Sequence, residues 1–461
     1  MVSKTPAMSL GTGTTAPPPR AVLESVSFQS WKSFRKATLY LDELTLLIGA
    51  NASGKSNALE ALKLLGWIAT GARLTNLQHA IQSGELGVRG ALADLGSSDS
   101  ADSVIRFQCE FAGPSAGLQE IRLSIGLEAT DGELRVVEEE LSAPHLPDTK
   151  FPLYRVGHAD EVGNLLRVEY NNFAQGGRKP HVACVNHQAV FTQLTTPARF
   201  AQKRSQTMIP RASSLVRATL EGMLFLDPNP TSMRGYAYEN DSKLRGDGAN
   251  VSSVLHRLKD DAAAYSRLLD FVRALPEQQV TAIEFVKTPR SEVMVKLKET
   301  FGGKVRYCEA PLLSDGTLRV LSIGAALLSV PEGTLVVIEE IDNGVHPSRA
   351  EHLLKNIREV AKERGLRVLL TTHNPAMLDT LPVSALPGVT VCYRDPGSGE
   401  SQLLRLSDLH TYPSLIARGP LGQLVTKGIL DRYVKADEDE DERTRKALSW
   451  VDSLRDPEEE E

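Results

Sequence analysis

The chain has 461 residues, of which 41% are hydrophobic and 24% are charged, a composition typical of folded domains. No apolar run reaches the roughly 18 residues that a membrane helix requires, and residues 1–20 lack the apolar core of a signal peptide. The four cysteines lie far apart without a CxxC pair, which excludes a zinc ribbon and argues against a disulfide framework. These features predict a soluble cytoplasmic protein with a disordered leader at 1–20.

Residues 21–145 predict a first lobe. Strand-like patterns run from Ala21 to Gly49, and a helix follows in which apolar residues recur at helical spacing. Three segments between residues 103 and 142 then alternate apolar and polar side chains and are separated by turn residues. This alternation is typical of an antiparallel sheet.

Periodicity is weak over residues 146–275, which predicts an insertion of mixed, partly helical structure that senses a trigger or holds a partner or nucleic acid. Residues 276–435 predict a second lobe. Its elements are three strands with a turn at Gly302-Gly303, an apolar helix at 318–330, the strand 334–338, a helix near 348–364 and the strand 367–373. The predicted fold class is α/β, with a mixed sheet, an antiparallel subdomain and the insertion.

The charge is distributed unevenly. Residues 436–461 hold twelve acidic and four basic side chains, a net charge of −8. Because the whole chain has a net charge of −6, the other 435 residues carry a net charge of +2. Residues 171–217 contain no acidic side chain and seven basic ones, a net of +7. Two interpretations of this basic segment remain open: a nucleic-acid surface, or a solvated loop whose acidic partners lie elsewhere in the fold.

The strongest motif is GANASGKS at residues 49–56, which we call the P-loop because it satisfies GxxxxGK[ST] between a predicted strand and a predicted helix. Glycines allow the backbone to wrap a phosphate, and the helix N-terminus adds partial positive charge. Lys55 is suited to bridge terminal phosphates, and the Ser56 hydroxyl to ligate Mg²⁺. The predicted nucleotide-contacting residues of this loop are Gly49, Asn51, Ser53, Gly54, Lys55, Ser56 and Asn57.

Two acidic residues, Glu339 and Glu340, follow a second aliphatic strand. We call these two residues the acidic pair. Acids that follow a strand in this position can stand beside a nucleotide-bound metal. Glu339 is suited to the Mg²⁺ shell, and Glu340 to polarise the attacking water. A third aliphatic strand ends in His373, which could reach a γ-phosphate, although a lone histidine is more often structural.

A further motif, LSDGT at residues 313–317, stands immediately before a predicted helix. We call it the signature turn. Ser314 and Gly316 at a helix start can donate to phosphate. Since one chain cannot easily bring two helix N-termini to the same γ-phosphate, Ser314 and Gly316 are predicted to act on the nucleotide held by another copy.

In this order, GANASGKS, LLSDGT, LVVIEEIDNGVHP and LLTTHNP resemble the motifs of the ATP-binding-cassette (ABC) class of P-loop ATPases. The turn Trp31-Lys32-Ser33-Phe34 and the ending GKSN are similar to the RecF/SMC/OLD-like group of that class. The form IEE…NGxHP resembles predicted ATPases of bacterial and phage-defence loci, with PARIS and Septu ATPase subunits as the nearest comparison. The resemblance covers about residues 20–145 and 276–430 and implies an ABC-type ATPase head.

The resemblance also implies roles for individual residues. Lys55 and Ser56 would contact ATP and Mg²⁺, Glu339 would hold the metal through water, and Glu340 would be the catalytic base. His373 would be the switch histidine. Asp342 and Asn343 would begin the D-loop that communicates across a dimer. Ser314 and Gly316 fall in the signature motif, which reads LSDGT here where LSGGQ is commoner; the candidates for the Q-loop are Gln78, Gln82 and Gln108.

Two departures from the family narrow the function. A complete OLD nuclease carries a C-terminal TOPRIM domain, whereas some thirty residues follow Tyr433 here, and the acidic run 437–441 has DxD spacing without a framing strand. We therefore reject that run as a nuclease centre. A zinc hook and a long coiled coil are also missing, which excludes a full SMC-type protein.

Three functions remain open. The leading hypothesis is a homodimeric ATPase switch that ATP closes and hydrolysis opens, and that controls a separately encoded effector in antiphage defence. The first alternative is a RecF-like DNA-maintenance ATPase that binds DNA directly through residues 171–217. The second alternative is the ATP-binding subunit of a transporter. The long insertion and motif sequences unlike those of transporters argue against it.

Overall fold

The structure, a computed structural model, describes residues 20–97, 103–115, 117–130, 132–146, 151–157, 163–174, 176–273, 279–343 and 347–436. The predicted leader, apart from Arg20, and the acidic tail with its DxD run lie outside the described residues. Of the helices in these ranges, none combines the length and the apolar composition needed to cross a membrane. The cysteines are buried and free, as their spacing predicts.

The elements follow one another along the chain as strands and helices. The strands are β1 (Val22–Trp31), β2 (Phe34–Tyr40), β3 (Leu44–Ile48), β4 (Val104–Ala112), β5 (Glu120–Thr130), β6 (Glu133–Ser142), β7 (Tyr154–Val156), β8 (Leu165–Tyr170), β9 (His181–Val185), β10 (Leu224–Leu226), β11 (Ala237–Tyr238), β12 (Gln279–Lys287), β13 (Glu292–Phe301), β14 (Lys304–Glu309), β15 (Leu335–Ile338), β16 (Arg367–Thr371), β17 (Val389–Arg394) and β18 (Ser401–Arg405). The helices are α1 (Lys55–Ala69), α2 (Leu77–Gln82), α3 (Val190–Gln193), α4 (Lys203–Glu221), α5 (Pro230–Met233), α6 (Val251–Leu258), α7 (Ala262–Arg273), α8 (Asp315–Ser329), α9 (Pro347–Glu363), α10 (Pro375–Asp379), α11 (Tyr412–Ile416), α12 (Leu421–Thr426) and α13 (Ile429–Ala436).

The central sheet has the order β10-β15-β16-β3-β17-β18 and is parallel except at β18. Every residue of β3 and β15 is buried, as expected for parallel strands covered on both faces. Because successive side chains point to opposite faces, Leu47 and Val337 enter one hydrophobic core, and Leu46 and Val336 enter the other. The sheet thus separates two cores and confirms the predicted α/β fold.

A second, antiparallel sheet has the order β2-β1-β4-β5-β6-β7-β8-β9. Strands β4, β5 and β6 coincide with the alternating segments predicted between residues 103 and 142. A third sheet consists of the antiparallel strands β12, β13 and β14, with β11 beside the start of β13. Strands β12 and β13 pack on α7 and α6.

Residues 146–275 do not form a separate insertion. Strands β7 to β9 extend the antiparallel sheet, β10 pairs with β15 in the central sheet, and β11 pairs with β13. The first core takes most of its residues from Ala21 to Leu220, and the second from Leu226 to Val434, so the division lies close to residue 222. Strands of two and three residues, such as β11 and β10, are too short for a period to appear in the sequence.

Candidate nucleotide-binding site

Three of the predicted motifs meet at one edge of the central sheet. Strands β3, β16 and β15 are neighbours and parallel, so their carboxyl ends lie side by side. The P-loop follows β3, His373 follows β16 and the acidic pair follows β15. The crevice outside the carboxyl ends of parallel strands is the usual ligand site of such sheets.

The P-loop backbone requires glycine at two positions. Gly49 and Gly54 have φ angles of 150° and 117°, a region that other residues rarely adopt. A Cβ atom at Gly49 would lie 2.1 Å from the Cys392 carbonyl oxygen, and one at Gly54 would lie 2.5 Å from Ser401 Oγ. The loop is therefore pressed against β17 and β18, and its conformation is set by these strands as well as by its own sequence.

Lys55 is the first residue of α1, and its side chain turns back into the loop. Its Nζ donates to the carbonyl oxygens of Gly49 (2.7 Å) and Ala50 (2.8 Å). Burial lowers the pKa of Lys55, because desolvation disfavours the charged ammonium. An anion placed beside it would act in the opposite direction. Ser53 Oγ is buried and has no hydrogen-bond partner among the described residues. The unpartnered Ser53 hydroxyl and the glycine conformations fit a loop that closes around a phosphate. Ser56 is exposed, as a residue that contacts a bound Mg²⁺ ion would have to be.

The turn at residues 31–34 braces the P-loop helix. Trp31 Nε1 donates to the Asn57 carbonyl oxygen (2.8 Å), and Asn57 Nδ2 donates to Ser33 Oγ (2.7 Å). Ser33 Oγ also accepts from Ser401 Oγ at 2.7 Å. The Asn57 side chain is therefore hydrogen-bonded to the turn. Its predicted contact with the nucleotide stays a prediction.

The acidic pair is held by neighbours that the sequence did not reveal. Glu339 Oε1 forms an ion pair with Lys63 Nζ of α1 at 2.8 Å. Glu340 has a φ of 49°, and such a left-handed non-glycine backbone is typical of functional sites. Its backbone N–H donates to Thr371 Oγ1 (2.9 Å), and its carboxylate accepts from Asn343 Nδ2. The Glu340 side chain is therefore exposed at the sheet edge while its backbone is fixed by β16.

Asp227 is a third acid at this edge, and the sequence analysis missed it. It follows β10, whose Leu226 carbonyl oxygen accepts from the Glu339 N–H at 3.1 Å. Burial raises the pKa of Asp227, the nearby Glu339 and Glu340 raise it further, and Arg319 and Lys63 act in the opposite direction. The only sequence signal was an acid after three apolar residues, which is too short a run to mark a strand.

The three Q-loop candidates lie in two parts of the first lobe, α2 and β4. Gln78 Oε1 accepts from the Leu92 N–H at 3.1 Å, Gln82 ends α2, and Gln108 lies in β4 opposite Ser27. In the described ranges, no group of three or more His, Cys, Asp and Glu side chains is arranged to hold a metal.

The signature turn begins α8. Ser314 Oγ caps this helix by accepting from the Thr317 N–H at 3.2 Å. Ser314 and Asp315 are exposed, whereas Gly316 is buried. Since α8 ends at Ser329 and β15 begins at Leu335, the helix returns antiparallel to the strand, and the signature turn lies at the end of the molecule where the parallel strands finish.

A P-loop after β3, an acidic pair after β15 and a histidine after β16, all at the carboxyl ends of one parallel sheet, define the fold of a P-loop ATPase. The sequence matches the family described as "AAA domain, putative AbiEii toxin, Type IV TA system" over residues 44–164 and 212–379, more than half of the chain. The chain belongs to this family. No curated protein matches the sequence.

Similar solved structures include SMC head domains. One, described as an SmcHead bound to the C-winged helix domain of ScpA, is 12% identical with a TM-score of 0.48, over 83% of this chain and 97% of that one. The head domain from Thermotoga maritima is 14% identical with a TM-score of 0.41, over 83% and 98%. A head with an extended coiled coil from Pyrococcus furiosus is 11% identical with a TM-score of 0.46, over 86% and 100%.

Proposed function

We propose that the chain is a Mg²⁺-dependent ATPase whose two copies close around ATP. The observation that carries this proposal is the exposure of Ser314 and Asp315 at the end of the molecule where the P-loop and the acidic pair also lie. A helix N-terminus open to solvent at that end is available to a second copy. In a head-to-tail pair, each signature turn would then face the P-loop of the other copy.

The site residues divide the work of hydrolysis. Lys55 and the P-loop N–H groups would hold the phosphates, and Ser56 and Glu339 would hold a Mg²⁺ ion, which would neutralise phosphate charge. Lys63 is now paired with Glu339 and would exchange this carboxylate for solvent when Glu339 holds the metal. Glu340 accepts a proton from the attacking water, and Asn343 positions its carboxylate. His373 would contact the terminal phosphate.

The Glu340→Gln variant tests the catalytic base. It should bind ATP, lose about 10²–10⁴ in hydrolysis rate and accumulate as a dimer, because closure no longer leads to turnover. Steady-state phosphate release and light scattering measure both effects. Glu351→Gln, an exposed change on α9, is the matched control. Normal hydrolysis by Glu340→Gln would show that the base is another residue.

The switch would act on a separately encoded effector, with antiphage defence as the setting. Supporting this, the description of the matching family names a putative toxin of a type IV toxin–antitoxin system. Co-expression with the neighbouring gene, followed by phage challenge, tests the role. Wild type should protect and Lys55→Ala should not. Equal protection by both chains would end this part of the proposal.

A RecF-like ATPase that binds DNA directly is the second candidate, and α4 favours it. Its exposed face carries Lys203, Thr207 and Arg211, whereas Arg199 and Arg217 of the basic segment are occupied by backbone carbonyls of Gln193 and Thr70. If Lys203 and Arg211 each contact one DNA phosphate, together they change the slope of the logarithm of the DNA-binding constant against the logarithm of the salt concentration by about 2.

The double variant Lys203→Ala and Arg211→Ala should flatten the salt dependence of DNA binding by that amount. Lys355→Ala on α9, also an exposed lysine, is the control and should leave the slope unchanged. If the wild-type chain binds no DNA at low salt, this second function is wrong.

A further inference from the structure

The segment Asp227–Arg234, which follows β10 and includes α5, links two parts of the site. It begins at Asp227, beside Glu339 of the chain's own acidic pair. It ends at Arg234, immediately after α5, beside the signature turn. In the proposed dimer the acidic pair serves one nucleotide and the signature turn serves the other, so this short segment touches both.

Arg234 is bound to the signature turn by its guanidinium group. Nη2 donates to Asp315 Oδ1 (2.8 Å) and to the Leu313 carbonyl oxygen (3.0 Å), and Nη1 donates to the Pro230 carbonyl oxygen (3.0 Å). A guanidinium has five N–H donors, and these contacts use three of them. The Arg234 side chain is 31% exposed and that of Asp315 is 66% exposed, so the pair opens to solvent beside Ser314.

Asp315 makes this arginine necessary in a composite site. A carboxylate in the first turn of α8 would repel an incoming triphosphate, because like charges at close range oppose each other. The guanidinium of Arg234 neutralises that carboxylate, and its planar N–H groups match the geometry of phosphate oxygens. In the LSDGT turn, Arg234 thus offsets the one charge that would oppose a phosphate.

We propose that Arg234 acts in trans: its guanidinium contacts the terminal phosphate of the ATP held by the P-loop of a second copy, and Asp315 orients it. In the reaction, the water oxygen bonds to the γ-phosphorus, the bond to the β–γ bridging oxygen breaks with its electron pair leaving on ADP, and the water proton passes to Glu340. Arg234 stabilises the charge on the phosphoryl oxygens during this transfer. The inference rests on the proposed function, since it requires the dimer.

The first experiment compares Arg234→Ala with Asp315→Asn. Arg234→Ala should keep ATP binding, because its own P-loop is intact, and lose about 10²–10³ in hydrolysis rate, as expected for one lost charge-stabilising donor. Asp315→Asn should lose less than about tenfold, because it removes only the orienting group. Equal losses in the two variants would show that Arg234 merely braces the turn. If Arg234→Ala fails to fold, Arg234→Lys, which keeps a cation but not the planar fork, should still lose more than Asp315→Asn.

The second experiment mixes inactive variants before ATP is added. Glu340→Gln with Arg234→Ala should recover up to about a quarter of the wild-type rate, because half of the dimers are mixed and one of their two sites is complete. An arginine acting in its own chain would give no recovery, since neither site would then be complete.

Glu340→Gln mixed with Ser314→Ala separates the two proposals. Recovery with Ser314→Ala but not with Arg234→Ala would overturn the role of Arg234 and leave the composite site standing. Failure of both mixtures would overturn the composite site itself.

Discussion

Glu139 of β6 shows how one residue can make stability depend on pH. Its buried carboxylate accepts from Tyr154 Oη (2.7 Å) and from the N–H groups of Val190 (2.7 Å) and Phe191 (2.6 Å). These three donors favour the charged form, but burial outweighs them and raises the pKa of Glu139 to about 7. The residue joins β6 and β7 to the start of α3, so its protonation affects the packing of the antiparallel sheet.

The pH dependence of unfolding tests this assignment. Between the ordinary value of 4.5 and about 7, the folded state binds more protons at Glu139 than the unfolded state does. The stabilisation is therefore fully present at the acidic end and is lost as pH rises towards 7. Urea unfolding across this range should show that loss in wild type and a flatter profile in Glu139→Gln. Glu138→Gln, whose side chain is 51% exposed, is the control and should keep the wild-type profile.

Gly54 is the second residue whose environment supports a quantitative prediction. Its left-handed backbone and its closeness to Ser401 leave no room for a Cβ atom. Gly54→Ala should destabilise the fold by about 1–3 kcal/mol, through strain and overpacking, and abolish ATP binding. Gly84 also has a positive φ, of 77°, but no atom lies within 4 Å of an added Cβ. Gly84→Ala should therefore destabilise the fold less and leave ATP binding intact. Denaturant midpoints and nucleotide titration would measure both, and equal effects would contradict the steric argument.

At the scale of elements, α1 is anchored by a buried carboxylate. Glu60 pairs with Lys32 of the turn between β1 and β2 and with Arg89, whose Nε lies 2.6 Å away. The side chains of Glu60 and Lys32 are 4% and 9% exposed. The interaction thus fixes the P-loop helix to the antiparallel sheet, in addition to the hydrogen bonds of Trp31 and Asn57.

Removing one partner of this pair should cost more than removing both. Glu60→Ala leaves the Lys32 ammonium buried without its partner and should destabilise by about 3–5 kcal/mol. The double variant Glu60→Leu and Lys32→Met replaces both charges with apolar groups and should recover most of that loss. Chemical unfolding of the three chains decides the matter. A double variant as unstable as Glu60→Ala would show that the charges themselves hold α1.

At the scale of the whole molecule, the central sheet connects the two cores with the nucleotide site. Leu47 and Val337 face one core, Leu46 and Val336 face the other, and the loops after these strands carry the P-loop and the acidic pair. A ligand at this edge therefore contacts segments that depend on both cores. Binding that occurs only in a closed dimer would stabilise both cores at once.

Thermal unfolding should report that closure. With Mg²⁺ and ATP, Glu340→Gln should unfold at a higher temperature that rises further with protein concentration, because ligand and partner both bind only the folded chain. The double variant Lys55→Ala and Glu340→Gln should show neither shift. A ligand-induced shift that is independent of protein concentration would indicate that ATP binds a monomer.

The sequence by itself determined the presence of the P-loop and the order of the motifs, because these depend on short spacings between neighbouring residues. It also indicated β4 to β6 and the parallel strands, since their alternation and their aliphatic runs reflect which faces are buried. The sequence could not show Asp227, Lys63 or Arg234 at the site. Each is recruited by pairing or packing between segments distant in the chain, and β10 is too short to leave a periodic signal. The sequence predicts residues 146–275 as a separate insertion for the same reason. Only tertiary contacts join these residues to the sheets that they complete.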